Sequence, residues 1–592
     1  MSLMSGLYVG TSGLQTSQNA LNTTAHNLSN ADTTGYVRQQ VLEADRVYNT
    51  VKSGSNATSS QQVGLGVTYA KVRQVRDYFL DQSYRKENGR EEFYTANYEA
   101  LTNVEDLLDE LNDDASFNSS LNNLWSTIQE LSKTPDDTTV QRMLIQYAQS
   151  FITNAQQVYQ GLVDYQNQLN TNIKSAVEEI NSLGKTIQSL NDQIRKIEVG
   201  GVETANDLRD ARNEALDTLS GLVNISYSED VYGSVRVKVE GVDFVASDTV
   251  YEIGLSEDAD TGYYYPYWVV NSKVVTDENG LEQLDLSNAY VFDTTALISS
   301  EKGTDIGSLR AMLYLRGDKN ADYTDIPVKP ETPNPDDYTY KTADPEYAKA
   351  VAQYQLDIAE YDEKVEYYNS TIAQSVCMNV EAEFDQLVHN VVVTINDALK
   401  AGYDKSGGTL YAADDGSPLQ IFQKVESDGY TYNETTGEWD YVEENTDDDY
   451  MSDTLYSIPN LQVNPDLIRE AGKLKFKYED GTVDYDTVNA LAQAFDADNY
   501  VLNPNVTTKC SLNTYYTNLV SQVSNSGNVY KKLVESQEAT VSSIDNKREE
   551  VTGVSSDEEL TSMIKFQNAY NAASRYINVI NEMLEHIINQ LG

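Results

Sequence analysis

Apolar residues recur along this chain with helical periods over most of its length. Near the N-terminus Leu7, Leu14, Leu21 and Leu28 repeat every seven residues, with small or polar residues between them such as Gly10, Thr11, Ser17, Gln18, Thr24 and Ala25. A helix of this pattern has one narrow apolar seam flanked by positions that allow close approach. Gly6, Gly10 and Gly13 each cost a helix interior up to about 1 kcal/mol relative to Ala, so the segment needs a partner to fold. The other end supplies a candidate. Met563, Phe566, Tyr570, Ala573, Ile577, Ile580, Leu584, Ile587 and Leu591 alternate spacings of three and four, the ladder of a coiled coil. The chain stops one residue later, so the expectation is a seam with no further domain over it. One reading is an ordinary helix pair within the chain. The favoured one is that both ends also pack against neighbouring copies.

Between the ends lies a long helical stretch. Thr134-Pro135-Asp136-Asp137 reads as its start, with cap, N1 proline and first-turn acids. Phe151, Ala155, Val158, Leu162, Tyr165 and Leu169 keep heptad spacing. After one extra residue Ile173, Ala176, Ile180, Leu183, Ile187, Leu190, Ile194 and Ile197 resume it, and Gly200-Gly201 ends it. About 65 such residues span roughly 95 Å, a rod. Shorter helical patterns flank it at about 76–112, 117–132 and 204–221. Residues 223–300 switch to period two, as in Val235–Val239, with turns at Gly233-Ser234 and Asn279-Gly280. Helical spacing returns near 304–316. A Pro-, Asp- and Tyr-rich stretch covers 317–343, and one long helix is expected from about 345 to 400. Residues 401–510 are mixed, with the acidic run Glu443–Asp449 read as a solvated loop. A last helix at 511–550 leads through Gly553 into the C-terminal ladder.

The fold class expected is therefore mainly α with β-rich insertions, nested one within another. The ends, 1–35 with 558–592, make a terminal coiled-coil unit. A helical rod takes 36–222 with 301–316, 345–400 and 506–557. A β-rich outer unit takes 223–300, an acidic Tyr/Pro-rich insertion 317–344, and a mixed acidic insertion 401–505.

Charge narrows the function. Among 592 residues, 42 are Lys or Arg and 93 Asp or Glu, a net −51. Such a surface repels phosphate backbones and anionic lipid, so no nucleic acid or membrane partner is expected. The first 31 residues carry no Lys, Arg, Asp or Glu, which gives no positive region of a secretory signal. Cys377 and Cys510 are too few for a disulfide framework, and His26, His389 and His586 lie far apart. Tyrosine is abundant, at 43 against 11 Phe and 3 Trp, which suits shallow cores and crowded contacts.

Catalytic signatures are missing. There is no P-loop and no G-x-S-x-G elbow, and Gly64-Leu-Gly66 lacks a third glycine. Asp318-Lys-Asn320-Ala-Asp322 begins like a calcium loop, but Tyr323 and Lys329 stand where its glycine and final glutamate belong. No enzyme, cofactor or metal is expected. Tyr263, Tyr264, Tyr265, Tyr267 and Trp268 form an aromatic strip that reads as sheet core, with glycan binding as the alternative.

Ser12-Gly-Leu14-Gln, then Asn19-Ala-Leu21-Asn22, Ala25-His-Asn27-Leu28-Ser-Asn30 and Thr33-Thr-Gly35-Tyr36 resemble the N-terminal signature of bacterial flagellar rod, hook and hook-associated axial proteins. Within that group the hook–filament junction members are the nearest likeness. Asn206–Leu216, Asn460–Leu467 and Val551–Leu560, followed by Phe566-Gln-Asn568-Ala-Tyr570, resemble their further motifs. The segment 317–375 looks like an added insertion, and 410–505 matches only in patches. The resemblance implies a structural part of the flagellum, outside the cell, exported through the flagellar type III apparatus. Other axial roles, of the hook, rod or flagellin kind, and a glycan-binding or enzymatic insertion on a flagellar scaffold, are the competing readings. The implied partners are copies of itself in a ring, hook protein below, the next junction protein or filament above, and a cytoplasmic chaperone on the C-terminal helix. The terminal helices would be disordered before assembly. The interface residues are then Leu7, Leu14, Leu21, Leu28, Asn27, Asn30, Gly35, Met563, Phe566, Tyr570, Ile577, Ile580, Leu584, Ile587 and Leu591. Of these, Asn27, Asn30 and Gly35, with Thr33, end the inner helix through side-chain caps and a left-handed glycine.

Overall fold

The computed structural model describes residues 3–591 apart from 34, 47, 53–60, 109–115, 202, 277–281, 341, 343–344, 426–429, 434–435 and 442–454. The Asn279-Gly280 turn and the Glu443–Asp449 run lie outside the described residues.

Helix α1 (Leu3–Ser29) is followed by a β arm, β1 (Gln39–Asp45), β2 (Asn49–Lys52), β3 (Gln61–Val63) and β4 (Val67–Gln74). The strands pair antiparallel, β1 with β4 and β2 with β3, with a register shift at Leu42/Glu43. Sequence reading placed this stretch in the helical rod. Its residues, such as Gln39-Gln40-Val41-Leu42, do not alternate polar with apolar, so the stretch carries no clear strand signal.

Helices α2 (Tyr78–Leu108), α3 (Phe117–Lys133), α4 (Thr138–Glu198) and α5 (Asn206–Leu222) follow. The long helix is 61 residues. It starts later than Pro135, because the Asp137 carboxylate accepts from the Thr139 amide as the cap and leaves the proline in the preceding turn. Gly201, at φ +65°, closes the other end. The β insertion holds β5 (Ile225–Glu229), β6 (Val235–Val239) and β7 (Val242–Val245) as one antiparallel sheet. It adds the pairs β8 (Ile253–Glu257) with β9 (Tyr264–Trp268) and β10 (Lys273–Thr276) with β11 (Glu282–Asp285).

After α6 (Ser308–Arg316) the expected helix over 345–400 is two. Helix α7 (Pro345–Tyr367) runs into one π turn (Tyr368–Ile372), and α8 (Val376–Ser406) restarts with Ser375 as its cap. No residue of α7 is buried, whereas α8 runs through the core. The half-buried side of α7 carries Tyr347, Val351, Tyr354, Ile358, Tyr361 and Val365, at alternating four- and three-residue steps. Against it lies an extended segment in which Pro327, Pro330 and Pro333 are covered while Val328, Lys329, Glu331 and Thr332 are exposed. That three-residue period is the turn of a polyproline II helix. Tyr338 meets Tyr347 edge-on at 5.4 Å, and the Thr332 hydroxyl reaches Tyr354 at 3.3 Å.

The remainder comprises β12 (Phe422–Lys424), β13 (Tyr430–Asn433), β14 (Glu438–Tyr441), β15 (Leu461–Val463), α9 (Pro465–Arg469), α10 (Tyr485–Asp496), α11 (Leu512–Thr552) and α12 (Ser556–Leu591). Helix α4 organises two cores. Its first half, with Leu144, Phe151 and Leu162, packs with α3, α8, Leu410–Phe422, Tyr456–Leu502 and the start of α11. Its second half, with Ile173, Ile180 and Ile187, packs with α5, α6 and the β insertion. The 401–505 stretch thus lines the main helical core. Of the aromatic strip, Trp268 packs with Phe244 in the second core and Tyr263 is buried, while Tyr264, Tyr265 and Tyr267 stay half-buried. The two cysteines are buried and free, and His389 stacks on Tyr323 at 3.6 Å, with burial pushing its pKa down to about 4.

A candidate assembly interface and the joint behind it

Helices α1 and α12 pack along each other with opposite direction. A Cβ at Gly6 would meet Ile580, one at Gly10 would meet Ile577, and one at Gly13 would meet Ala573. Glycine is required at position 10, where that Cβ would stand 2.7 Å from Ile577 Cγ1. The face of α1 that is buried is therefore the small-residue face, Gly6, Gly10, Thr16, Ser17, Ala20, Thr24 and Asn27. Leu7, Leu14, Leu21 and Leu28 flank it and stay half-buried. The heptad of leucines is real, but the close contact is made by the small residues beside it.

On α12, Met563, Phe566, Tyr570, Ile577 and Leu584 are half-buried, and Ile580 is 6% exposed. Ile587 is 41% and Ile588 67% exposed. The side chain of Leu591 lies outside the described residues. The register carries α12 from Leu584 onward past Leu3, the first described residue of α1. Tyr576, Val579 and Met583 widen the apolar face beyond what α1 covers. Within one chain this is a helix pair, with apolar surface left over on both members.

Behind the pair is a polar joint. Asn27, buried, accepts from the Gln39 amide at 3.0 Å and the Tyr36 hydroxyl at 2.8 Å, and donates to the Gln39 carbonyl at 2.9 Å. It pins the β arm to α1. Asn30 donates to the His26 carbonyl at 3.0 Å, and Gly35 takes φ +76°, so this cluster ends the helix as its residue types suggest. Gly66, at φ +93°, brings the arm against Ser12 so closely that a Cβ would overlap it.

Three motifs from the sequence converge here. The Arg38 amide donates to the Thr552 carbonyl at 2.8 Å, and its guanidinium pairs with Glu559 at 2.8 Å and Glu558 at 3.2 Å. Asp210 accepts from the Val37 amide at 3.3 Å and from Gln74 at 2.6 Å, and burial pushes its pKa up to about 7. Arg548 pairs with Asp217 at 2.9 Å, and Asp217 with Arg85 at 2.6 Å. Arg212 donates to Asn191 at 2.9 Å and to the Gly233 carbonyl, tying the long helix to the β insertion. Asn464 caps α9 and donates to the Gln420 carbonyl at 3.0 Å. Arg38, Tyr36, Asp210 and Arg548 were not among the expected site residues. Glu559, Val37 and Asp217, which Arg38, Asp210 and Arg548 meet, lie more than 150 positions from them, and no spacing rule connects them.

No group of His, Cys, Asp and Glu among the described residues is arranged to hold a metal ion. In the calcium-like stretch, Asp318 accepts from Tyr265 at 3.3 Å, Asn320 from Tyr263 at 2.9 Å, and Asp322 caps a 3-10 turn. Those oxygens are already engaged. No helix among the described residues is long and apolar enough to cross a membrane.

Comparison with known proteins follows the same joints. The family described as "Flagella basal body rod protein" matches residues 7–36. "Flagellar hook-associated protein FlgK helical domain" matches 101–296, and "Flagellar basal body rod FlgEFG protein C-terminal" matches 546–591. Flagellar hook-associated protein 1 of Bacillus subtilis is 25% identical over 99% of this chain and 98% of its own length. The proteins of that name from Salmonella typhimurium and Escherichia coli are each 24% identical over 98% of both chains. The fold is also similar to that of the flagellar hook junction protein FlgK from Burkholderia pseudomallei, with a TM-score of 0.50 over 80% of this chain and 100% of that one, at 10% identity. With a rod-protein signature at the N-terminus, a hook-associated helical domain in the middle and a rod-protein signature at the C-terminus, the chain is similar from end to end to flagellar hook-associated protein 1.

Proposed function

We propose that this protein is a structural component of the bacterial flagellum that joins hook to filament, assembling through its terminal helices after type III export. The observation that carries the reading is the half-covered apolar face of α12 and the half-buried leucines of α1. An isolated helix pair with this much apolar surface is incomplete, and neighbouring copies around a common axis would complete it. The absence of charge in residues 1–31 suits that position, since a ring of copies brings like charges together. In this reading 1–35 with 558–592 form the inner tube, and α4 with its neighbours forms the surrounding wall. The 223–300 unit and α7, with the extended segment against it, face outward. Hook protein lies below and the next junction protein or filament above, and a chaperone covers α12 before export.

The test is a pair of substitutions, Leu21→Asp and Ile580→Asp. Each places a charge on the seam, which costs several kcal/mol when buried unpaired. Both should abolish assembly while the central helices keep their thermal transition. Normal filaments from both variants defeat the proposal, as does finding copies along the whole filament.

A further inference from the structure

In a chain of net charge −51, one pocket has the opposite sign. It encloses about 350 Å³ between β4, the start of α2, the start of α5 and β5. Lys71, Arg73, Arg76, Arg209 and Arg212 line it, against only Asp81 and Glu229.

Two features of this pocket suit it to an anion. The first is α5, a 17-residue helix whose N-cap is Ala205, so no side chain satisfies its first amides. The neighbouring α2 is capped, Asp77 accepting from the Phe79 amide at 2.8 Å. An uncapped helix start carries partial positive charge and N–H groups directed outward. The second is the guanidinium of Arg212, 1% exposed at its side chain, whose Nε has no hydrogen-bond partner. Arg76 pairs with Asp81 through Nε at 2.5 Å and Nη2 at 3.2 Å, but its Nη1 is buried and unbonded, 3.9 Å from Asp210. Burial pushes the Arg212 pKa down to about 10, which means that its present partners do not fully offset its desolvation.

The same pocket holds an acceptor without a donor. Asn206 Oδ1 is buried and unbonded at the first turn of α5. A carboxylate has no proton to give it. A singly protonated phosphate offers acceptor oxygens to the arginines and to the helix start, and one O–H to Asn206. We propose that this pocket is a binding site for a small tetrahedral oxyanion, inorganic phosphate, held between the β arm and the N-terminus of α5. Bound there, it would link the arm that carries α1 to the wall of the rod.

The experiment is calorimetric titration of the full chain with sodium phosphate near pH 6.5, at ionic strength held constant with chloride. A saturable single-site isotherm is expected, with acetate at equal concentration giving none. Lys71 and Arg73 are exposed, so Lys71→Gln with Arg73→Gln leaves the fold intact while removing two cations. That variant should bind about tenfold more weakly. Arg73→Gln alone serves if the double variant loses its native circular dichroism. The proposal is overturned if phosphate gives no saturable heat, if acetate matches it, or if removing the cations leaves affinity unchanged.

Discussion

Helices α4 and α12 carry the same alternation of three- and four-residue steps, and the chain treats them in opposite ways. Along α4, Leu144, Phe151, Leu162, Ile173, Ile180, Ile187 and Ile194 are all essentially inaccessible, each turn met by α3, α5, α8 or the β insertion. Among the described side chains of α12 only Ile580 and Glu559 are buried. A heptad ladder states that a helix has a seam. It does not state how many neighbours close it. Within the described residues the closure of α4 is intramolecular, and that of α12 stops at one partner, α1.

The largest expected effect follows from that contrast. Phe151→Ala removes a ring that packs against Phe117 at 5.4 Å in the main core, and should lower stability by about 3–5 kcal/mol. Phe566→Ala, at an equivalent ladder position, should cost the free chain under about 1 kcal/mol, because water already reaches that ring. Denaturant unfolding of the two variants measures the difference. Equal losses would mean that α12 is as closed as α4.

A pH prediction comes next in size and separates the same two regions. Helix α8, in the main core, buries three carboxyl groups within five residues, Glu381, Glu383 and Asp385. Glu383 accepts from Asn503 at 2.7 Å and from Gln522 at 2.9 Å, and burial lifts its pKa from 4.5 to about 7. The folded state then holds a proton that the unfolded chain releases between about pH 4.5 and 7. The group's stabilisation is complete below 4.5 and falls away as pH rises to 7. Burial raises Glu381 and Asp385 in the same direction. The main unfolding transition should therefore move to lower temperature between pH 5 and 7.5, and Glu383→Gln should flatten the slope. The terminal pair bears no comparable buried carboxyl beyond Glu559, so its protection should respond little over that range.

How much of this was legible in the sequence depends on whether a feature is periodic. The helices α2 to α5 and the period-two β insertion carry their signal in consecutive residues. The terminal ladders do too, although the leucines of α1 lie beside its buried face, at half-buried positions, and not at its centre. The buried contact there is made by Gly6 and Gly10, which a hydrophobicity pattern ignores. Helix α7 and the extended segment against it leave a trace in Pro327, Pro330, Pro333 and the seven-residue spacing of Tyr347, Tyr354 and Tyr361. The helical period from 345 onward is legible in the sequence, whereas the three-residue period of the prolines before it is neither a helix nor a strand signal and shows only as composition. The break at Tyr368–Ser375 has no proline or glycine to mark it. The Arg38–Glu559 and Asp210–Val37 contacts are products of tertiary folding and leave no local trace.

The smallest and most discriminating substitution is Gly10→Ala. Two effects of similar size oppose each other. Alanine favours the helix by about 1 kcal/mol over glycine, so an isolated peptide of residues 1–31 should gain helical signal. In the pair, however, the new methyl falls 2.7 Å from Ile577 Cγ1 and close to the Tyr576 ring at 3.2 Å. Cγ1 lies in the middle of its side chain, so relief requires α12 to move away or Ile577 to leave its rotamer, typically about 1–3 kcal/mol. The packing term exceeds the propensity term. Hydrogen exchange in α12 should therefore quicken in the full chain even as the peptide becomes more helical. A change of the same sign in both would mean that the close approach of α1 and α12 contributes little, and that the leucine faces hold the ends together instead.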